Sequence, residues 1–270
     1  MEYLYLALSL SSSLVIALLL RVFEHKGLNR VVVIASNYIV AGSLSYFLSR
    51  KTTLTIPVLC YGIVLGLFFF LAFWVFSRGI KAKGLASAVT IGRLSLAVPV
   101  TMSIVFWGEK PLLLDIVALV LIFSIIFCWE GKIGKLSPIL LSIFLLFGLL
   151  DSAIKYFKLG FPQVDDGFFL IIVFYSGMVW SWGYILFTGQ RPRSKEVVSG
   201  LLIGVPNFFS SFFMLKALVS VPAYIAFPFL NIGMIILSAM IGTIFFKERL
   251  GHKKIVLLLL GVFAVWMLTS

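Results

Sequence analysis

The chain has 270 residues, 61% of them apolar and 12% charged, with 27 Phe and a mean hydropathy of +1.15. Soluble domains are about 45–50% apolar and about 25% charged, so a soluble enzyme, a disordered chain and a disulfide scaffold are all excluded. The net charge of +12 does not point to nucleic acid, because the bases come in small groups between apolar runs, as the loops of a polytopic membrane protein do.

A membrane-crossing helix needs about 20 mostly apolar residues. Ten runs predict one, at 3–22, 30–48, 56–77, 85–107, 112–129, 136–157, 168–188, 196–217, 223–246 and 253–269. They lack the alternation of barrel strands, and lipid offers no partner to unpaired backbone, so each is expected to be helical. Span 1 has no basic segment before it and no small-residue cleavage site, and is expected to be retained rather than removed as a signal peptide. It carries Ser11-Ser12-Ser13 and ends at Arg21, and span 2 carries Asn37-Tyr38. Span 3 holds Gly62, Gly66 and Trp74, and span 4 holds Arg93 and Pro99 before its exit through Trp107-Gly108-Glu109-Lys110. Span 5 holds Cys128, and span 6 ends in the row Asp151, Lys155, Lys158. An Asp165-Asp166 loop leads to span 7, with Tyr175, Trp180 and Trp182. Span 8 contains Gly200, Gly204 and Pro206-Asn207. Span 9 contains Tyr224, Pro228, Asn231 and Ser238, and exits through Phe246-Lys247-Glu248-Arg249 before span 10. Cys60 and Cys128 lie in apolar runs, and His25 and His252 lie in distant loops, so no disulfide, metal site or cofactor is expected. Asp165-Asp166 has no second acidic pair to form a prenyl-transfer site, and no Walker loop or hydrolase elbow occurs. Nothing is left to run an enzyme.

The spans repeat. Glu109 and Glu248 are 139 residues apart, as are Ile116-Val117 and Ile255-Val256. Gly62 and Gly66 recur as Gly200 and Gly204 at an offset of 138, where Phe70 also meets Phe208 and Arg78 meets Lys216. The chain therefore divides into a first five-helix unit, 1–132, and a second, 133–270. Five is odd, so the second enters the membrane from the opposite side. An all-α protein of two inverted five-helix repeats is the arrangement of alternating-access transporters.

Ten spans in two halves, Pro99 within the fourth, the Gly108–Lys110 exit and the Phe246–Leu250 exit before a Gly-bearing tenth span (Gly261) together resemble the drug/metabolite transporter superfamily, in its EamA-like branch. The resemblance covers essentially the whole chain. It implies a ten-helix permease with a central cavity walled by spans 1–4 and 6–9, with spans 5 and 10 as outer supports. Ser238 stands where a second-half counterpart of Pro99 would be, and the lysine often found in the family's first span is absent.

Arg93 is the leading candidate for substrate contact. An Arg at this depth costs about 2.5–3.5 kcal/mol on insertion scales, so it must face a cavity or a partner. It shares a helical face with Ala86, Thr90, Ala97 and Thr101. As a clamp it would hold a carboxylate, phosphate or other acceptor-rich group; otherwise it snorkels or makes a structural ion pair. Asp151 is the obvious partner, either neutralised by Lys155 at i+4 or carrying a coupling proton. Asn231 falls at nearly the position that matches Arg93 and could orient the substrate from the opposing wall, or simply bond a neighbouring helix. Tyr224 shares its face. Asn207 lies on a small-residue stripe that favours packing, and Tyr38, Tyr175 and Trp180 lie mid-span, where an aromatic could line a cavity. Glu109 and Glu248 sit at helix exits and are expected to fix turns.

Fifteen Lys and Arg lie in or beside the loops after spans 1, 3, 5, 7 and 9, and six beside the others. By the positive-inside rule both termini lie outside the cytoplasm, whereas the resemblance implies the reverse. The expectation is a secondary transporter of a small organic metabolite, anionic or zwitterionic, exporters included. It would sit in the lipid bilayer of a prokaryotic inner membrane as a monomer or homodimer. The competing reading is a non-transporting receptor or assembly subunit, with Arg93 and Asp151 as a structural ion pair.

Overall fold

The computed structural model describes residues 2–24, 27–50, 54–83, 85–129, 137–246 and 251–269. Among them are eleven helices and no strand: α1 (Glu2–Glu24), α2 (Arg30–Leu48), α3 (Ile56–Lys83), α4 (Leu85–Leu94), α5 (Ala97–Val105), α6 (Leu113–Trp129), α7 (Pro138–Gly160), α8 (Asp166–Phe187), α9 (Ser194–Ala217), α10 (Ala223–Phe246) and α11 (His252–Thr269). The protein is all-α. Among the described residues nine spans, with α4 and α5 taken as one, are long and apolar enough to cross a membrane, as an integral membrane protein requires. The Lys247–Leu250 part of the second exit motif, with Glu248, lies outside the described residues, as does His25.

Three elements differ from the sequence expectation. Helix α3 continues to Lys83, six residues beyond the apolar run, because Lys81 and Lys83 in its last turn oppose the partial negative charge of the helix end. Helix α6 has 17 residues, shorter than a full crossing. The fourth span is two helices separated at Ser95-Leu96. Pro99 has no N–H for the Ser95 carbonyl, and its ring crowds that carbonyl. The turn tightens instead: Val98 N–H donates to Ser95 O at 2.9 Å, Leu96 N–H to Arg93 O at 3.3 Å, and Ser95 Oγ to Gly92 O at 2.6 Å.

The chain packs as two units. Unit 1 holds Met1–Ser77 and Tyr156–Val219, and unit 2 holds Arg78–Lys155 and Ser220–Ser270. In unit 1, α2 lies against α8 and α9, and α1 against α9. Ser9 and Ser13 of α1 bond Ser210 of α9, at 2.9 Å to its carbonyl and 2.6 Å to its hydroxyl. In unit 2, α6 lies on α11, and α10 on α5 and α11.

Both glycine pairs are close-approach points in unit 1. A methyl at Gly66 would stand 2.5 Å from the Val173 carbonyl oxygen of α8, and one at Gly62 2.7 Å from Ile172. A methyl at Gly204 would stand 2.6 Å from both the Asn37 carbonyl oxygen and Val40 Cβ of α2, and one at Gly200 would strike the Val33 carbonyl. Small residues let helix backbones meet where lipid provides no hydrophobic drive. Gly204→Val should therefore cost about 1–3 kcal/mol of stability, because it overfills a contact made by backbone, which cannot rotate away. Thermal unfolding in detergent measures it, and a melting temperature equal to wild type would contradict this packing.

The scarce acids serve helix starts. Asp165 Oδ1 caps α8 by accepting from Phe168 N–H at 3.0 Å. Glu196 accepts from Arg193 N–H at 2.9 Å and from Asn29 N–H at 3.1 Å, which ties the starts of α9 and α2 together. Asp115 accepts from Leu112 N–H at 2.7 Å. Each satisfies a backbone donor that helix geometry leaves orphaned.

Candidate functional site

Glu109 extends this pattern across unit 2. Gly108, at φ +70°, ends the fourth span in the left-handed conformation that glycine adopts without strain, and Glu109 N–H closes back on Ser103 O at 3.0 Å. That turn aims the Glu109 carboxylate at the start of α10. It accepts from Ala223 N–H at 2.8 and 3.0 Å and from Tyr224 N–H at 3.3 Å. Lys155 of α7 completes the arrangement at 3.0 Å, with its side chain 7% exposed and that of Glu109 13%. Glu109 was expected to fix a turn; what it fixes is the start of a helix 114 residues away. The sequence left Asp151 either neutralised by Lys155 on its own helix or carrying a coupling proton; Lys155 pairs with Glu109. Tyr224, expected at a cavity wall, is buried in the first turn of α10.

Arg93 lies in the last turn of α4, immediately before the break. A cation suits that helix end, whose carbonyls lack helical donors. Its Nη1 donates to the Asn231 carbonyl oxygen at 3.1 Å. Arg93 and Asn231, expected at matching positions on opposing walls, thus bond each other directly within unit 2. The contact is made by the Asn231 backbone and not its amide. That amide turns along its own helix, with Nδ2 donating to Phe227 O at 3.0 Å, while its Oδ1 accepts from no described residue.

The break also redraws the face assigned to Arg93. Thr90 is buried at 1% exposure and Thr101 is exposed, because the tightened turn rotates α5 out of phase with α4. Gly148 of α7 meets the break: a methyl there would lie 2.9 Å from Ser95 O and 2.5 Å from Val98. Asp151 follows one turn later on the same face of α7, and helical side chains lean back over the preceding turn. It makes no hydrogen bond or ion pair with a described residue, so no Asp151–Arg93 pair is present among them. Arg93 and the Asn231 carbonyl thus meet beside the helix interruption, and Asp151 lies one turn along α7 from the Gly148 contact with it.

The remaining candidates lie in unit 1. Tyr38 is 4% exposed and packs on Gly177, while Tyr175 packs on Gly42 and approaches Ser43 Oγ at 3.4 Å. Each ring of the α2–α8 contact thus fills the space over a glycine of the other helix. Asn207 donates from Nδ2 to Asn37 Oδ1 at 2.6 Å, and Asn37 in turn bonds the Ile34 carbonyl at 2.7 Å. Trp180 stands on the exposed side of α8, 44% exposed. Of Asp165 and Asp166, read from the sequence as a polar loop, Asp165 caps α8, while Asp166 holds Lys158 at 2.6 Å and Lys216 at 3.0 Å.

No family model matches the chain. It is similar to an uncharacterized protein of Haemophilus influenzae, 26% identical over 265 residues that span 88% of each chain. A protein of known crystal structure, 13% identical, matches 98% of this chain and 98% of its own with a TM-score of 0.79. At that identity the likeness establishes a shared fold alone.

Proposed function

We propose that the chain is a secondary transporter of a small organic metabolite, working by alternating access through a central cavity, and that it is no enzyme. The observation that carries this reading is the interrupted fourth span with Arg93 beside the interruption. Transporters of inverted-repeat architecture place substrate sites near the bilayer midplane, at helices broken in this way. An ionisable side chain within a span is a functional-site hypothesis by default. The inverted repeat belongs to the proposal, and three pairs of contacts support it. The first glycine pair of α3 meets α8, and its counterpart in α9 meets α2. Tyr38 and Tyr175, 137 apart, sit reciprocally on glycines. Arg93 and Asn231, 138 apart, bond each other. A two-fold relation between halves 1–132 and 133–270 generates each of these.

In this reading Arg93 binds the acceptor-rich end of an anionic or zwitterionic substrate, and Asn231 Oδ1 receives a donor from it. Membership of the EamA-like drug/metabolite transporters and a prokaryotic inner-membrane location are parts of the same proposal. The test is a thermal-shift screen of the purified protein against carboxylates, phosphates, amines and neutral solutes, followed by uptake of each stabilising compound into proteoliposomes. Anionic or zwitterionic hits that accumulate in the vesicles support the proposal. Stabilisation without any transport favours the receptor or assembly-subunit reading.

A further inference from the structure

Four helix ends of unit 1 meet beside the α7–α8 loop: α2 ends at Leu48, α7 at Gly160 and α9 at Ala217, and α8 begins at Asp166. They border a cavity of about 330 Å³ whose charged lining is Arg50, Lys158, Asp165, Asp166 and Lys216. Three of the four carboxylate oxygens there take donors. The Asp166 side chain, 2% exposed, takes Lys158 Nζ on Oδ1 at 2.6 Å and Lys216 Nζ on Oδ2 at 3.0 Å. Asp165 Oδ1 takes Phe168 N–H at 3.0 Å and Arg50 N–H at 3.1 Å.

The donors are in surplus. Each ammonium has three N–H groups and places one on Asp166, and a guanidinium has five. The Arg50 guanidinium makes no hydrogen bond or ion pair with a described residue, and its side chain is exposed. The two lysines are held in place by aromatic faces as well, Lys158 Nζ 5.8 Å from the Phe157 ring centre and Lys216 Nζ 5.3 Å from that of Phe212. Three cations stand against two anions, with unfilled donors pointing to one ligand chemistry. We propose that this cavity is a phosphate-group site, filled by an anionic phospholipid headgroup or by free phosphate.

Span ends lie at headgroup level, and basic pockets between spanning helices suit lipid phosphates. Tyr156 and Leu159 flank Lys158 and are 49% and 47% exposed, which offers an apolar face along which acyl chains can descend. Arg forks two oxygens of a phosphate, while the lysines supply point charge. The site is independent of Arg93 and of whether the chain transports anything.

The experiment uses the full chain, delipidated in a neutral detergent. It is titrated with short-chain phosphatidylglycerol, with phosphatidylcholine and with inorganic phosphate, and stabilisation against heat is the readout. Phosphatidylglycerol is expected to stabilise the protein, with phosphatidylcholine much weaker. Arg50→Ala should weaken that binding roughly tenfold, the worth of one hydrogen bond to a charged group, and leave the ligand-free melting temperature unchanged. Lys216→Gln should also weaken it, and Lys110→Ala, a base outside the cavity, should not. Stabilisation by phosphatidylglycerol but not inorganic phosphate identifies a lipid site, and stabilisation by both, with competition, identifies a site for the phosphate group itself. The proposal is overturned if neither ligand stabilises the wild type, or if Arg50→Ala and Lys216→Gln both bind as tightly as wild type.

Discussion

Lys155→Met is expected to destabilise the protein by about 3–5 kcal/mol, the usual result of removing one partner of a buried pair. The cost comes from what remains. Glu109 keeps its three contacts with the first N–H groups of α10 but loses the cation 3.0 Å away, in surroundings that leave its side chain only 13% exposed. Glu109→Gln should cost less than Lys155→Met. An amide oxygen still accepts from Ala223 N–H, and Lys155 retains the Val221 carbonyl at 3.5 Å. The double variant separates pair from cap: Lys155→Met with Glu109→Gln should recover part of the loss, because no unpaired carboxylate is left buried. Thermal and denaturant unfolding in detergent measure all three. If Lys155→Met proves as stable as wild type, Glu109 does not depend on this ion pair.

Arg93→Ala is expected to reduce transport of a compound identified by the screen about 10–100-fold. That range corresponds to roughly 1.5–3 kcal/mol for a hydrogen bond to a charged group, at about 1.4 kcal/mol per tenfold. Stability should fall by only about 1 kcal/mol, since the Asn231 carbonyl keeps its place in the α10 ladder without the guanidinium. Arg93→Lys should retain part of the activity, because it keeps the charge but loses the planar fork. The informative comparison is between rate and melting temperature. A transport loss at near wild-type stability marks a ligand contact, while a parallel loss of both marks a helix-to-helix strut. Uptake by Arg93→Ala at the wild-type rate would remove Arg93 from the site.

The spans were legible because their signal is local. Twenty apolar residues need no partner to be recognised, and the ends of α2 and α10 fall where hydropathy places them. Arg93 was legible for the same reason, since a charge within an apolar run is conspicuous whatever lies opposite. The interruption beside it was half legible: Pro99 is visible in the sequence, but the damage falls four residues earlier, at Ser95, and depends on whether the turn tightens or merely bends. The role of Glu109 could not be read at all. Its acceptors meet N–H groups 114 residues away, and no spacing or periodicity links a helix exit to the start of another helix. The shift of Lys155 from Asp151 to Glu109 follows from that. An i, i+4 neighbour is the default partner only when nothing better placed competes, and a carboxylate already gathering backbone donors is better placed.

The Glu109 cap also bears on the order in which the chain is made. Its carboxylate is synthesised well before either of its partners. Lys155 follows 46 residues later and Ala223 a further 68. Until Lys155 is made, the end of the fourth span holds an anion at the edge of the lipid with no permanent counter-charge. The start of α10 likewise has no acceptor until it docks against an element already in the membrane. The last two helices are therefore received by a template rather than assembled beside it. A chain halted after residue 222 would show the difference as a first exit turn open to water-borne reagents, which closes only when α10 arrives.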